Sequence, residues 1–423
     1  MLNRNIAPPI VDAVNFNLQL QPYEKYVLKN GVEVYAVNAG TEDVMLVEWV
    51  FNAGNWYEDK NLLAAVTNNL LKNGTSKKSA YHINEHFEYY GSYLNRNCHA
   101  ETALMSLHCL TRHVKELLPV VREIFTDSVF PQSEIDTAVQ NMKQKLDVNL
   151  KKSSFVAGRL IDTYLFGEGH PYGRFSRHED FDALTRNDII SFYNTFYQGS
   201  FKIFVAGKLP ENIAALLEEF FGDLPNQKHP ERNYTIQPAA EKKFRVINEE
   251  NGSQGSIRLA RQFANRHHPD FLKAQVLNIV FGGFFGSRLM ANIREEKGYT
   301  YGIHSYLMGN MHENGWMITT EAGRDVSEAT IQEVYNEMQL LREELIDDEE
   351  LSLVKNFMMG SILGDLDGPF HILSRWKNII LNGLPEDHFE KSINNIKKIT
   401  AEELLEIANR YLIPEDFYEL VVI

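Results

Sequence analysis

Cysteine is nearly absent: Cys98 and Cys109 are the only thiols in 423 residues. Two isolated cysteines exclude a disulfide framework, and they are too far apart for a Cys-x-x-Cys metal knuckle, so a reducing compartment is expected. Basic charge is also short. Lys and Arg number 42 against 57 Asp and Glu, a formal net charge of −15, and no Lys/Arg run forms a polybasic patch, which argues against nucleic acid and anionic membrane as partners. No stretch of about 18 consecutive apolar residues occurs, as a membrane-spanning helix would require. The opening MLNRNIAPPIVDAVNFNLQLQP has Asn, Pro and Asp where a signal peptide needs an unbroken apolar core. The chain as given therefore reads as cytoplasmic, and a processed precursor would read the same way.

What the chain does have is ordinary globular composition, 44% apolar and 23% charged, and enough length for two domains. An internal duplication organises it. Leu184-Thr185, Asp188-Ile189-Ile190 and the strand-like Phe201 to Gly207 run parallel to Ile399-Thr400, Glu403-Leu404-Leu405 and Phe417 to Ile423. Between the halves lies a polar, Pro-containing stretch without periodicity. The expected organisation is an N-terminal domain over 1–228, a linker over 229–242 and a homologous C-terminal domain over 243–423.

Apolar alternation or β-branched and aromatic runs predict strands over 32–37, 45–51 and 103–110, and in the second half near 244–248, 256–261, 301–308 and 314–321. Apolar positions recurring at three and four predict helices over 61–73, 80–90, 114–127 and 133–151, the last starting at Ser133, then near 269–281, 327–345, 348–365 and 400–411. Strands and helices segregate, which indicates an α+β fold: two homologous domains, each a largely antiparallel sheet covered by helices.

One pentapeptide carries a chemical signature. His82-Ile-Asn-Glu85-His86 matches His-x-x-Glu-His, the zinc motif of inverted-motif metallopeptidases. On a helix the two imidazoles share a face, and Glu85 stands beside them as a base for bound water. Ile83, Phe87 and Tyr90, however, mark a buried stripe on that helix. The plainer reading is an amphipathic helix whose histidines face solvent or neighbouring acids. The duplication adds a register: aligning Gly91 with Gly298 superposes this helix on 287–294, and makes Leu62 to Asn73 the counterpart of Phe271 to Phe281.

Ala53-Gly54-Asn55-Trp56-Tyr57-Glu58, followed by a helix ending in Gly74-Thr75, resembles the pitrilysin/insulinase-like zinc peptidase family, which includes the mitochondrial processing peptidase. The resemblance covers almost the whole chain. It implies that the two zinc histidines fall on Ala65 and Asn69, the catalytic glutamate on Asn68 and the distal glutamate ligand on Lys145. None of these can do the ligand's or the base's work. His82-Glu85-His86 lies one helix too late, although Asp162 stands at the distal ligand's spacing from it, and that register would delete a helix before the strand around Asn95.

The second half retains what the first has lost. Ser287-Arg288-Leu289 and Ile293-Arg294-Glu295-Glu296-Lys297-Gly298-Tyr299-Thr300-Tyr301 resemble the family's Arg-to-Tyr pair, here Arg294 and Tyr301, which in the family reach the scissile peptide. The competing reading is that Arg294 closes its own helix end near Glu295 and Glu296 while Tyr301 packs inward. Gly282-Gly283 is no phosphate loop, lacking the Lys-Ser/Thr of a P-loop, and is expected to permit a tight turn between helices. The resemblance also implies a peptide-binding edge at Leu94-Asn95-Arg96-Asn97, with Arg96 where the family prefers a small residue.

The expected function is the non-catalytic subunit of a heterodimeric zinc-dependent peptidase acting on peptides. It would bind no cofactor itself, would pair with a homologous catalytic subunit carrying the zinc, and would contribute Arg294 and Tyr301 in trans. The alternatives are an active zinc peptidase using His82, Glu85 and His86, or a structural scaffold of the kind found in respiratory complexes.

Overall fold

A computed structural model describes residues 11–248 and 252–423; the first ten residues, where the leader reading begins, lie outside the described residues. In the first half, strands β1 (Glu24–Val27), β2 (Glu33–Asn38) and β3 (Val44–Phe51) are followed by helices α1 (Leu63–Leu70) and α2 (Ala80–Tyr89). Strands β4 (Tyr93–Cys98) and β5 (Ala103–Leu110) come next, then helices α3 (Val114–Asp127), α4 (Gln132–Leu150), α5 (Ser153–Phe166), α6 (His178–Ala183) and α7 (Arg186–Phe192), strand β6 (Phe201–Gly207) and helix α8 (Ile213–Phe221). The second half repeats the plan: β7 (Lys243–Val246), β8 (Gln254–Phe263), α9 (Phe271–Asn278), β9 (Thr300–Leu307), β10 (Asn314–Gly323), α10 (Ser327–Glu343), α11 (Asp348–Gly364), α12 (Pro369–Leu381), α13 (His388–Lys398), α14 (Ala401–Tyr411) and β11 (Tyr418–Val422).

The two sheets show the duplication directly. Their orders are β1-β2-β6-β3-β5-β4 and β7-β11-β8-β10-β9. Apart from β1, each strand of one has its counterpart at the same place in the other. In both, the opening strand pairs in parallel with the closing one, β2 with β6 and β7 with β11, whereas β1–β2, β3–β6, β3–β5, β4–β5 and β9–β10 are antiparallel. The α+β expectation of two similar halves with largely antiparallel sheets holds, with that parallel pair as a repeated exception.

By contact the chain forms two compact units, one made of Gln21–Arg258 with Gly368–Asn378 and Tyr418–Ile423, the other containing Leu259–Asp367 and Ile379–Phe417. In the first, β3 reads as a near-continuous apolar run because it is central and covered on both faces. Trp49 and Phe51 pack on Phe125 with ring centroids at 5.5 and 5.1 Å, and Phe51 meets Tyr197 at 4.9 Å. The strand's lone acid, Glu48, is buried but accepts from Ser106 Oγ at 3.0 Å and from Lys377 Nζ at 2.5 Å, as a buried charge must. In the other unit, Asn278 Nδ2 donates to the Ser305 carbonyl at 3.0 Å, while Ser305 Oγ donates to Asn278 Oδ1 at 2.7 Å and accepts from Trp316 Nε1 at 2.8 Å. That fully paired network ties α9 to β9 and β10.

Two expectations change. Helix α4 opens at Gln132 with Pro131 in the capping position, so Ser133 lies inside the first turn; a residue with fixed φ and no N–H suits a helix start without a side-chain cap. Gly282 and Gly283 end a π-helical turn over Ile279–Gly283, and neither has positive φ. Their role is close approach, since a Cβ on Gly282 would fall 2.7 Å from Ser305 Cβ and one on Gly283 2.6 Å from Ile279 Cδ1.

Gly91 and Gly298 are equivalent in the structure as in the aligned sequence. Each follows a helical segment and precedes a terminal strand, with φ of +60° and +66° and no atom within 4 Å of a would-be Cβ. The helix ends are closed by Ser92 N–H donating to the Phe87 carbonyl at 2.9 Å and by Tyr299 N–H donating to the Ile293 carbonyl at 3.0 Å. The longer second reach follows from the π-helical winding of Met290–Glu296. Left-handed φ is the only constraint here, so Gly91→Ala and Gly298→Ala should each cost about 1 kcal/mol in urea unfolding, and asparagine less. A loss confined to one of them would contradict their equivalence.

Candidate functional site

Helix α1 carries three of the four positions where the sequence register puts metal chemistry. Its entry is built on a buried acid: Glu58 Oε2 accepts the Ala64 N–H at 2.8 Å, and Oε1 pairs with Arg174 Nη2 at 3.1 Å. Leu62, just before the helix, has φ +71°, a strained geometry for a branched side chain, which the Glu58 contacts hold in place. Burial pushes the Glu58 carboxyl up to about 7, against the pull of Arg174 and of the Ala64 and Leu62 N–H groups.

Beyond that entry, nothing suits a zinc ion. Ala65 is half-buried and has no donor. Asn68 is buried with its Nδ2 donating to the Tyr197 hydroxyl at 3.0 Å, and burial holds that phenol neutral, well above its usual range. Asn69 is exposed. Its carbonyl accepts from Arg96 Nη1, which also reaches Asn73 Oδ1 at 3.4 Å. Lys145, on α4, is exposed. A guanidinium lies against the carbonyl at one ligand position and an ammonium group stands at another, so the residues present do not fit the metal. Among the described residues no group of three or more His, Cys, Asp or Glu is arranged to hold one.

His82, Glu85 and His86 sit on α2, whose buried residues are Ile83 and Phe87. The histidines are engaged separately: His82 Nδ1 with Ser79 Oγ at 2.9 Å at the helix start, and His86 Nε2 with the Glu116 carbonyl at 3.0 Å on α3. His82 is exposed and His86 partly so, the solvent-facing alternative, with a hydroxyl and a carbonyl rather than acids as their hydrogen-bond partners. Asp162 lies on α5 with Arg258 as the charge acting on it, and burial pushes it up to about 7.

Leu94, Asn95, Arg96 and Asn97 occupy β4, the terminal strand of its sheet, paired to β5 on one side only. Leu94 is buried, Asn95 and Asn97 are exposed, and Arg96 is intermediate. Side chains alternate as a strand requires, and Arg96 turns toward α1.

Arg294 and Tyr301 come together. Arg294 Nε donates to the Tyr301 carbonyl at 3.0 Å, its guanidinium lies 4.7 Å from the Phe285 ring centroid, and Nη1 is 3.6 Å from Glu295. The Tyr301 side chain is 92% exposed, so inward packing is excluded. Of the competing reading, the ion pair of Arg294 with Glu295 is present, while Nε is spent on the neighbouring strand. Glu58, Arg174 and Tyr197 escaped the sequence reading. Glu58 stands in the Ala53 to Glu58 stretch, whereas nothing local in Tyr193-Asn-Thr-Phe-Tyr197 announces that its last phenol meets Asn68.

Comparison with known proteins bears on both halves. Residues 33–166 match the model for insulinase (peptidase family M16), and residues 183–358 match that for the peptidase M16 inactive domain. A protein of Bacillus subtilis called an uncharacterized zinc protease, YmxG, is 24% identical over 93% of this chain and 96% of its own length. A Helicobacter pylori protein called a non-peptidase homolog, YmxG, is 22% identical over 85% and 84%. The crystal structure of a peptidase M16 inactive domain from Pseudomonas fluorescens superposes with a TM-score of 0.84 at 22% identity, covering 95% of this chain and 98% of that one.

Purified chain dialysed against zinc is expected to retain none stoichiometrically, and His82→Ala with His86→Ala should leave its metal content unchanged; one tightly held ion lost in that double variant would reverse the reading. A second expectation concerns pH. The folded state holds the Glu58 proton more tightly than the unfolded chain, so its contribution to stability is complete below about pH 4.5 and is lost as pH rises through about 7. Glu58→Gln, which cannot ionise, should flatten the dependence of melting temperature on pH across that window; an unchanged slope would assign it to other groups.

Proposed function

This chain belongs to the insulinase family, peptidase family M16, and from that premise we propose that it is the non-catalytic subunit of a two-chain zinc peptidase acting on peptides. The observation that carries the reading is a contrast within one molecule. Metal and base chemistry is lost together at Ala65, Asn68, Asn69 and Lys145, while Arg294 and Tyr301 stay adjacent with the phenol in solvent.

In this reading the partner is a homologous chain with an intact His-x-x-Glu-His, where zinc would supply the activated water. This chain supplies donors. The Arg294 Nη groups, not spent on Tyr301, donate to a substrate carbonyl, and the Tyr301 hydroxyl donates to the oxygen that gains charge as the carbonyl is attacked. Holding Arg294 to the Tyr301 backbone fixes the two donors relative to each other before substrate arrives. The free edge of β4 adds an extended peptide as a further strand. The two-domain division with a linker over 229–242, and a cytoplasmic setting, belong to the same proposal. The scaffold reading draws support from the non-peptidase name of the Helicobacter relative.

Arg294→Ala combined with Tyr301→Phe should lower kcat/KM of the reconstituted complex by about a hundredfold or more, the range for loss of an oxyanion donor, with assembly intact by gel filtration. Unchanged turnover would refute the role and favour the scaffold.

A further inference from the structure

The vestigial metal corner has acquired positive charge. Arg96 Nη1 is spent on the Asn69 carbonyl and the Asn73 amide oxygen; among the described residues Nε and Nη2 have no partner and no carboxylate pairs with the group. Burial lowers its pKa to about 10, and the group facing it is the Tyr197 phenol, which burial keeps neutral, so no anion offsets the shift. Lys72 lies close enough that Arg96, after burial, depresses it too; the one acid opposing this is Glu88, which acts on Lys72. In a chain of net charge −15, two half-buried neighbouring cations are a local reversal of sign: Glu88 acts on Lys72, and Glu134 is spent on the Asn73 amide at 2.7 Å rather than on the guanidinium. A partly desolvated guanidinium with two parallel donors to spare is matched by a carboxylate.

Its place on the fold says what would carry that carboxylate. Arg96 is on the terminal strand β4. A peptide added to that edge points the side chain opposite Arg96 to the same face, with Cβ atoms about 5 Å apart, whereas the carboxylate of a chain end would lie in the plane of the sheet. We propose that the β4 edge of this chain selects extended peptides carrying an aspartate or glutamate opposite Arg96, the carboxylate accepting from Nε and Nη2 beside Lys72. The inference rests on the reading of β4 as a peptide-docking edge. It gives Arg96 the role of a specificity residue.

The test is fluorescence anisotropy of acetylated, amidated peptides of about ten residues against the full chain, scanning one glutamate through the sequence with glutamine as control. At one register position glutamate should bind about tenfold more tightly than glutamine, as a charge-assisted hydrogen bond implies. The preference should vanish in Arg96→Gln and survive in part in Arg96→Lys, which keeps the charge without the fork and serves also if Arg96→Gln fails to fold. Melting temperatures of both variants separate selectivity from any loss of the tie to α1. Equal binding of glutamate and glutamine peptides overturns the inference but leaves edge docking intact. A preference that survives in Arg96→Gln, or that appears only with a free terminal carboxylate, overturns it as well. Failure of every peptide to bind removes the docking edge too, while the Arg294 and Tyr301 role is read separately from turnover of the complex.

Discussion

One side chain organises the first half's departure from metal chemistry: the Arg96 guanidinium, turned from the edge strand onto the Asn69 carbonyl near the end of α1. A cation fixed there repels a second cation and satisfies a helix-end carbonyl that has no partner within the helix. Asn68, bonded to a buried, neutral phenol, completes a corner made of amides, a hydroxyl and a guanidinium. Such a corner is stable without an ion. Restoring histidines on α1 alone would leave the charge of Arg96 in place, which is why the loss is more than a missing ligand.

The second half shows what the same topology does under a different demand. Its strand order copies the first, and Asn278 on α9 again ties a helix to the adjacent terminal strand, but through the fully paired network with Ser305 and Trp316 rather than through a charge. Gly282 and Gly283 bring that helix end close against β9. The π-helical segment Met290–Glu296 and left-handed Gly298 then deliver Arg294 beside Tyr301. In the proposed role, a rigid, buried tie behind and an exposed phenol in front would hold the two donors in place before a substrate arrives.

Much of this was legible in the residues because the signals are local. Val44–Phe51 carries β-branched and aromatic residues and Ala103–Leu110 is a short, mostly apolar run, enough to read both as strands, and Gly91 and Gly298 mark equivalent turns because only a residue without Cβ takes positive φ freely. Helix α13 is readable in the spacing of Phe389, Ile393 and Ile396 yet falls outside the expected set, as do α5 and α12. What local pattern cannot give is pairing across the chain. Glu58 with Arg174, and Asn68 with Tyr197, join residues more than a hundred positions apart, and the partners of His82 and His86 depend on the register of α2 against α3. The candidate positions could be named from the sequence; the bond from the Arg96 guanidinium to the Asn69 carbonyl became visible only once β4 was placed beside α1.

The most direct measurement is isolation of this chain from its native cells with whatever it holds, followed by metal analysis of each separated polypeptide. The account predicts one zinc per pair, all of it in a homologous companion bearing an intact His-x-x-Glu-His, and peptide hydrolysis only by the pair. Zinc recovered with this chain, or chelator-sensitive hydrolysis by this chain alone, would contradict it.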